Sequence, residues 1–257
     1  MTWLIGLSLT GLVGVSMGLL GGGGAVMAVP ILVYVMGVSA KSAVAMTLII
    51  IGTISLLGAA WHWRAGRLNV NKALKFGAAM MPGAYLGGTI ATQPFMTGTL
   101  QMLLLAGVML VAAVLMISRG YTAAGSATLS EYPKPLCRHC GLWMITEGLG
   151  VGILTGLVGV GGGFAIVPAL VLLGGTPIKQ AVPTSLLVIA MSSAGGLLGY
   201  WGQVTLDVPL ILAFTAITSI GLGLGMFWSR FVGAEVTQRL FGFLMIAVAA
   251  VILLQHV

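Results

Sequence analysis

Sliding this chain along itself by 138 residues lays GLLGGGGAVMAVPILV, from Gly18, on GLVGVGGGFAIVPALV, from Gly156, without a gap. From Gly18 to Leu48, 14 of 31 positions are identical, among them Pro30 with Pro168, Gly37 with Gly175 and Lys41 with Lys179. The register continues: Trp63 falls on Trp201, Gly83 on Gly221 and Gly87 on Gly225. Glycine-rich apolar sequence matches itself readily, but not at scattered Pro, Lys and Trp positions in one register. A chain duplicated in this way must fold as two related halves.

Each half is built of apolar runs. A bilayer span needs roughly 20 apolar residues, and eight segments emerge, at about 3–37, 42–62, 73–92, 98–118, 147–174, 180–201, 208–230 and 236–256. Apolar residues make up 59% of the chain and charged residues 6%, with a mean hydropathy of +1.14. A soluble domain carries about 25% charged residues, so the class expected is an all-α polytopic membrane protein of the bacterial inner membrane. The one long polar stretch divides it into a first repeat, 1–118, a cytoplasmic linker, 119–146, and a second repeat, 147–257. With no small-residue cleavage site after the first run, the N-terminus is read as mature protein rather than a signal peptide.

Charge sets the orientation of the halves. The loop after segment two carries Arg64, Arg67, Lys72 and Lys75 and no acid, which makes it cytoplasmic by the positive-inside rule. Its counterpart, 202–208, carries no base and one acid, Asp207. The linker, with Arg119, Lys134 and Arg138, and the last loop, with Arg230 and Arg239, also read as cytoplasmic. These placements agree only if an odd number of crossings separates the two loops, so one of the four intervening segments does not cross once. Segment five, with Gly159, Gly161, Gly162 and Gly163 before Pro168, is where a continuous helix is costly. Broken or re-entrant helices are expected there and at Gly21, Gly22, Gly23 and Gly24 of segment one, making the halves inverted repeats.

Irregular backbone at membrane depth survives only where protein buries it or it lines a wet cavity. Paired breaks in inverted halves therefore point to a substrate site near the midplane. Helix N–H groups that restart after glycines lack internal partners and carry the positive end of the dipole, which suits oxyanions. Close helix packing is the other role such glycines fill; two breaks in register, each followed by proline, favour the site. Thr47, Thr184 and Ser185 begin the next helices, where hydroxyls could donate to an anion or back-bond to their own helix. For Thr184 and Ser185 the two roles weigh equally, and for Thr47 packing weighs more.

The pattern running from Gly156 to Pro168, followed by Ala181, Thr184, Ser185 and Leu186, resembles the TauE/SafE family of sulfite exporters, also called toluene sulfonate uptake permeases. The resemblance covers both halves and implies transport of sulfite, organosulfonates or related sulfur oxyanions, with the glycine-rich repeats forming the site. The first half departs from the pattern at Ala25 and Met46, which implies a lopsided site with more hydroxyl donors from the second half.

Other residues bear on mechanism. Lys41 and Lys179 could draw anions to opposite mouths or serve as snorkelling anchors. His62 and its mate Tyr200 read as members of an interfacial belt. Glu131, Glu147, Asp207 and Glu235 all fall in loops or at segment ends, so no carboxylate is expected at mid-membrane. Cys137 and Cys140 form a C-x-x-C in the linker, short of a zinc site in one chain, although a homodimer could complete it. No Ser-His-Asp set, buried acid pair or HExxH is present, so an enzyme, a cofactor and a resident metal are not expected. The net charge of +7 lies in loops beside spans and answers to lipid headgroups rather than nucleic acid. The reading is a secondary exporter of a small anionic solute. An anion channel, or a scaffold or thiol-redox protein using the C-x-x-C, are the alternatives.

Overall fold

The computed structural model describes residues 2–20, 22–123, 140–159, 161–163, 166–167, 170, 178–229, 243 and 246–254. Among them there are helices and turns and no strand. In chain order the long helices are α1 (Thr2–Leu20), α2 (Ala40–Arg64), α3 (Val70–Thr92), α4 (Gly98–Ala123), α5 (Cys140–Val158), α6 (Ile178–Tyr200) and α7 (Val208–Trp228). A further helical stretch runs over 246–254. Among the described residues three helices are long and apolar enough to cross a bilayer, namely Ala40–Arg64, Gln180–Tyr200 and Val208–Trp228. Shorter apolar helices lie at Ile5–Leu19, Gly24–Val35, Gly98–Val111 and Ile145–Val158. The described residues thus bear out an all-helical chain with apolar spans, and parts of the first, fifth and eighth expected segments lie outside them. Helix α3 has Lys72, Lys75 and Pro82 among its 23 residues. Helical structure also enters both ends of the expected linker, since α4 continues to Ala123 and α5 begins at Cys140. Cys137, Arg230, Arg239, Glu131 and Glu235 lie outside the described residues.

The duplication is visible in how helices start. Asn69 caps α3, its side chain accepting from the Lys72 N–H at 3.1 Å; Asp207, 138 residues on, caps α7 by accepting from the Leu210 N–H at 3.1 Å. An Asx side chain at this position satisfies one of the amides that a helix start leaves without a partner. Both halves use the same device although the residue differs.

Close packing is exchanged between the halves. Helix α1 packs on α7, and α5 packs on α3. Glycines set both interfaces: Gly14 and Gly18 face Gly221 and Gly225, while Gly152 and Gly156 face Gly83 and Gly87, the same positions in repeat. A Cβ at Gly18 would stand 2.5 Å from the Leu222 carbonyl oxygen, so no larger residue fits. Small residues that let backbones touch are the usual basis of helix association in an apolar solvent.

At the centre α2 crosses α6. Gly58 lies against Leu186, and Gly196 against Leu48, at 3.0 and 3.1 Å from an added Cβ. Asn69 N–H donates to the Thr184 hydroxyl at one end, and the Ser42 and Thr205 hydroxyls lie 3.5 Å apart at the other. These pairings run in opposite directions along the two helices, so α2 and α6 are antiparallel. By the same test α1 runs parallel to α7, and α5 and α6 both run parallel to α3. The core gathers around the crossing, with Ile50, Ile51, Ile54, Phe76, Met80, Val188, Ile189 and Phe214. The outer surface is also apolar: Leu56, Leu57, Val111, Leu198, Leu212 and Leu254 are exposed, which suits lipid rather than water. Trp63 and its mate Trp201, at the ends of α2 and α6, are exposed as well.

Candidate functional site

After α1 ends at Leu20 the chain turns sharply. Gly22 takes φ +103°, a 3-10 turn follows over Gly23–Met27, then one helical turn, Ala28–Pro30, and a π-helical turn, Ile31–Val35. The Gly22 N–H donates back to Met17 O at 3.3 Å, and the Ala25 N–H donates to Gly22 O at 3.2 Å. After α5, Gly159, Gly161 and Gly162 take φ of +74°, +69° and +69°. That left-handed conformation is strained for any residue with a Cβ. Gly21 and Pro168 lie outside the described residues.

The two stretches meet. A Cβ on Gly163 would stand 2.5 Å from both the carbon and the oxygen of the Gly22 carbonyl, which is backbone against backbone across the halves. Side chains of the central helices close over them. Ile51 and Ile189 come within 3.1 and 3.2 Å of a Cβ built on Gly161, and Ile189 also lies on Gly22. Val44 covers Gly159, Met80 and Thr155 cover Gly162, and Ser16 lies on Gly24. The glycines are thus at the centre of the molecule, in close contact with apolar groups.

The three hydroxyl candidates behave differently from one another. Thr184 donates to Gln180 O and accepts from the Asn69 N–H at 3.2 Å, which uses it at the end of the α2–α6 crossing. Ser185 donates to Val182 O at 2.7 Å. Thr47 is fully buried, and its hydroxyl has no hydrogen-bond partner. The same holds for Ser55 and Ser193, which the sequence reading did not single out. Among the described residues, unengaged hydroxyls thus come from both halves.

Gln101 escaped that reading, and Tyr200 was placed in it differently. Gln101 of α4 donates through Nε2 to Leu157 O at 2.7 Å and to the Tyr200 hydroxyl at 3.0 Å; Tyr200 donates to Gly156 O at 3.1 Å. Together they satisfy the last carbonyls of α5 just before its glycines, groups that a helix end leaves open. Tyr200 is fully buried, so it is not an interfacial belt residue; the carbonyls freed at the end of α5 draw it inward. A lone glutamine in an apolar segment was the available signal for Gln101. Lys41 neither stands free at a mouth nor merely snorkels: its Nζ reaches Thr92 O and Gln93 O at 3.4 and 3.3 Å, at the C-terminus of α3, where a cation meets the negative end of the helix dipole.

Among the described residues every buried polar side chain is a hydroxyl or the Gln101 amide. A cavity of about 440 Å³ lies apart from the glycines, between α4 and α5, and its lining, including Leu100, Leu104, Val108 and Leu154, is apolar.

A family model described as "Sulfite exporter TauE/SafE" matches residues 7–252. A "probable membrane transporter protein" of Xylella fastidiosa (strain Temecula1) is 32% identical over 249 residues, covering 93% of this chain and 90% of the relative. The "probable membrane transporter protein YdhB" of Bacillus subtilis is 25% identical over 248 residues, covering 95% and 96%. The "probable membrane transporter protein MJ0441" of Methanocaldococcus jannaschii is 26% identical over 229 residues, covering 83% and 82%. No solved structure matches the chain.

Proposed function

Because this chain belongs to the sulfite exporter TauE/SafE family, we propose that it is a multi-pass transporter of the bacterial inner membrane that carries a small sulfur oxyanion, sulfite or a sulfonate, outward. The observation that carries this reading is the meeting of the two glycine stretches, Gly22 against Gly163, at the centre of the molecule. Backbone amides at Gly23, Gly24, Gly161, Gly162 and Gly163 would supply the donors once the covering side chains move aside, with Gly21, Gly22 and Gly159 shaping the turns, the Gly22 N–H itself donating to Met17 O at 3.3 Å, and Thr47, Thr184 and Ser185 set along the adjoining helices. Donors of this kind are neutral, and so are the buried polar side chains around them, which fits an anion that must be released again.

The helix directions support an inverted-repeat topology. If α2 and α6 oppose each other while α1 follows α7 and α5 follows α3, each long helix of the second half opposes its counterpart in the first. Helices α5 and α6 then point the same way, which requires the chain between them to return across the membrane, and the same holds between α1 and α2. That return is the re-entrant hairpin. Outward movement of an anion from a cell negative inside is downhill by about 2.3 kcal/mol per charge per 100 mV, so export needs no buried proton relay.

Thermal melting of the detergent-purified chain with sulfite, sulfate, thiosulfate and methanesulfonate tests the reading. A ligand that binds only the folded state stabilises it by about 2.7 kcal/mol at 100 times its Kd. Sulfite or methanesulfonate should raise Tm, and the same anion should exchange with its labelled form across proteoliposomes. Neither shift nor exchange with any of the four would overturn it.

A further inference from the structure

Each central helix carries the same stripe. On α2, Thr47, Ile51 and Ser55 are spaced four residues apart and share a face; on α6 their repeat mates are Ser185, Ile189 and Ser193. All six side chains are at most 1% exposed. Serine and threonine in an apolar helix ordinarily donate to a carbonyl one turn back, as Thr155, Ser192 and Thr218 do here. The hydroxyls of Thr47, Ser55 and Ser193 do not, and they have no other partner. A fully buried hydroxyl left in that condition opposes folding, so its presence at two repeat-related positions asks for another role.

Their placement supplies one. In the antiparallel crossing Ser193 faces Gly52, whose added Cβ would stand 3.0 Å from Ser193 Cβ and 3.7 Å from its Oγ. Gly52 adjoins Ile51, so Ser193 of α6 stands level with Ile51 of α2. By the same register Ser55 stands level with Ile189. Both isoleucines are the side chains pressed onto the glycine breaks, Ile51 on Gly161, and Ile189 on Gly161 and Gly22. Each serine therefore lies beside a plug, and rotation of either plug off its glycines would open the backbone amides and a free hydroxyl to the same space.

We propose that Ser55 and Ser193 are hydroxyl donors to the transported oxyanion, and that Ile51 and Ile189 are the gates that occupy its place between the glycine breaks in this closed conformation. This rests on the anion reading above and extends it to residues outside the glycine motif. Thr47, two turns from Ser55, continues the line of free hydroxyls toward the start of α2.

The test uses the full chain in detergent with Ser55→Ala, Ser193→Ala and Ile189→Val, against whichever of sulfite, sulfate, thiosulfate and methanesulfonate shifts the unaltered protein. Each serine variant should weaken binding by about 10-fold or more, the cost of one hydrogen bond to a charged group. Its ligand-free Tm should be unchanged or higher, because an unsatisfied hydroxyl has been removed. Ile189→Val should retain binding and speed counterflow in proteoliposomes. A fall of several degrees in ligand-free Tm with affinity intact would make the serines structural and end the proposal. If the unaltered protein binds an anion and both serine variants bind it equally well, this proposal falls while the transporter reading stands. If it binds none of the four, both fall.

Discussion

At the scale of single residues, the glycines separate into those that need an unusual backbone and those that need room. Gly37 has φ +71° with nothing within 4 Å of an added Cβ, whereas Gly162, at φ +69°, would bring a Cβ 2.6 Å from Thr155 Oγ1 and 2.9 Å from Met80 Cε. Gly37→Ala should therefore cost only the left-handed conformation, roughly 1–2 kcal/mol, and Gly162→Ala should cost clearly more. Thermal melts of the two variants beside Gly223→Ala, a helical site with open space around it, would check the order. Equal losses at Gly37 and Gly162 would mean that packing over the break is loose. The glycine-rich stretches were legible in the sequence because a run of glycines ahead of a proline occurs twice in one register. Ser55 and Ser193 were not, since serine among Ile and Leu reads as helix packing until two helices are seen to cross there. Tyr200 was misread for a related reason: an aromatic at a segment end resembles a belt residue, and only the carbonyls freed at the end of α5 explain its burial.

Among the elements, α3 and α7 test how far the halves remain equivalent. Asn69 and Asp207 cap them with the same geometry, and Asn and Asp are near equals at this position. Asp207→Asn should leave stability and exchange unchanged, while Asn69→Ala and Asp207→Ala should each cost about 1 kcal/mol, read as a lower Tm. Loss of exchange in a well-folded Asp207→Asn variant would show instead that the charge is used in transport. Hydropathy located α2, α3, α6 and α7 within a few residues, because an apolar run in lipid has no alternative to helix. It could not separate α1 from the turns that follow it: 3–37 is one apolar run, and the change from helix to 3-10 turn at Gly22 and Gly23 leaves no mark in hydrophobicity. It also ended α4 too early and began α5 too late, since backbone hydrogen bonding extends beyond the apolar run on both sides of the expected linker.

For the whole molecule, the opposed directions of α2 and α6 put the loop holding Arg67 and the loop holding Thr205 at opposite ends. Single cysteines at these two positions, in a chain with Cys137 and Cys140 replaced by Ser, should react with an impermeant thiol reagent from opposite sides of the membrane. Labelling of both from one side would exclude the inverted arrangement. Charge alone pointed to this arrangement, through four bases from Arg64 to Lys75 and one acid, Asp207, after α6. The exchange of helices between halves left no such trace, because glycine pairs spaced by four residues name an interface without naming its partner. That exchange has a temporal meaning. Helix α1 is made well before α7, and the glycines it must meet, Gly221 and Gly225, follow about 200 residues later. At 5–20 residues per second this is a wait of roughly 10–40 s. During that interval a ribosome-bound chain holds an apolar helix whose destination has not been synthesised, and lipid or a membrane chaperone has to shelter its bare glycine face. The first half is therefore not a finished body when its own last residue is made; α1 and α3 find their partners only as α7 and α5 arrive.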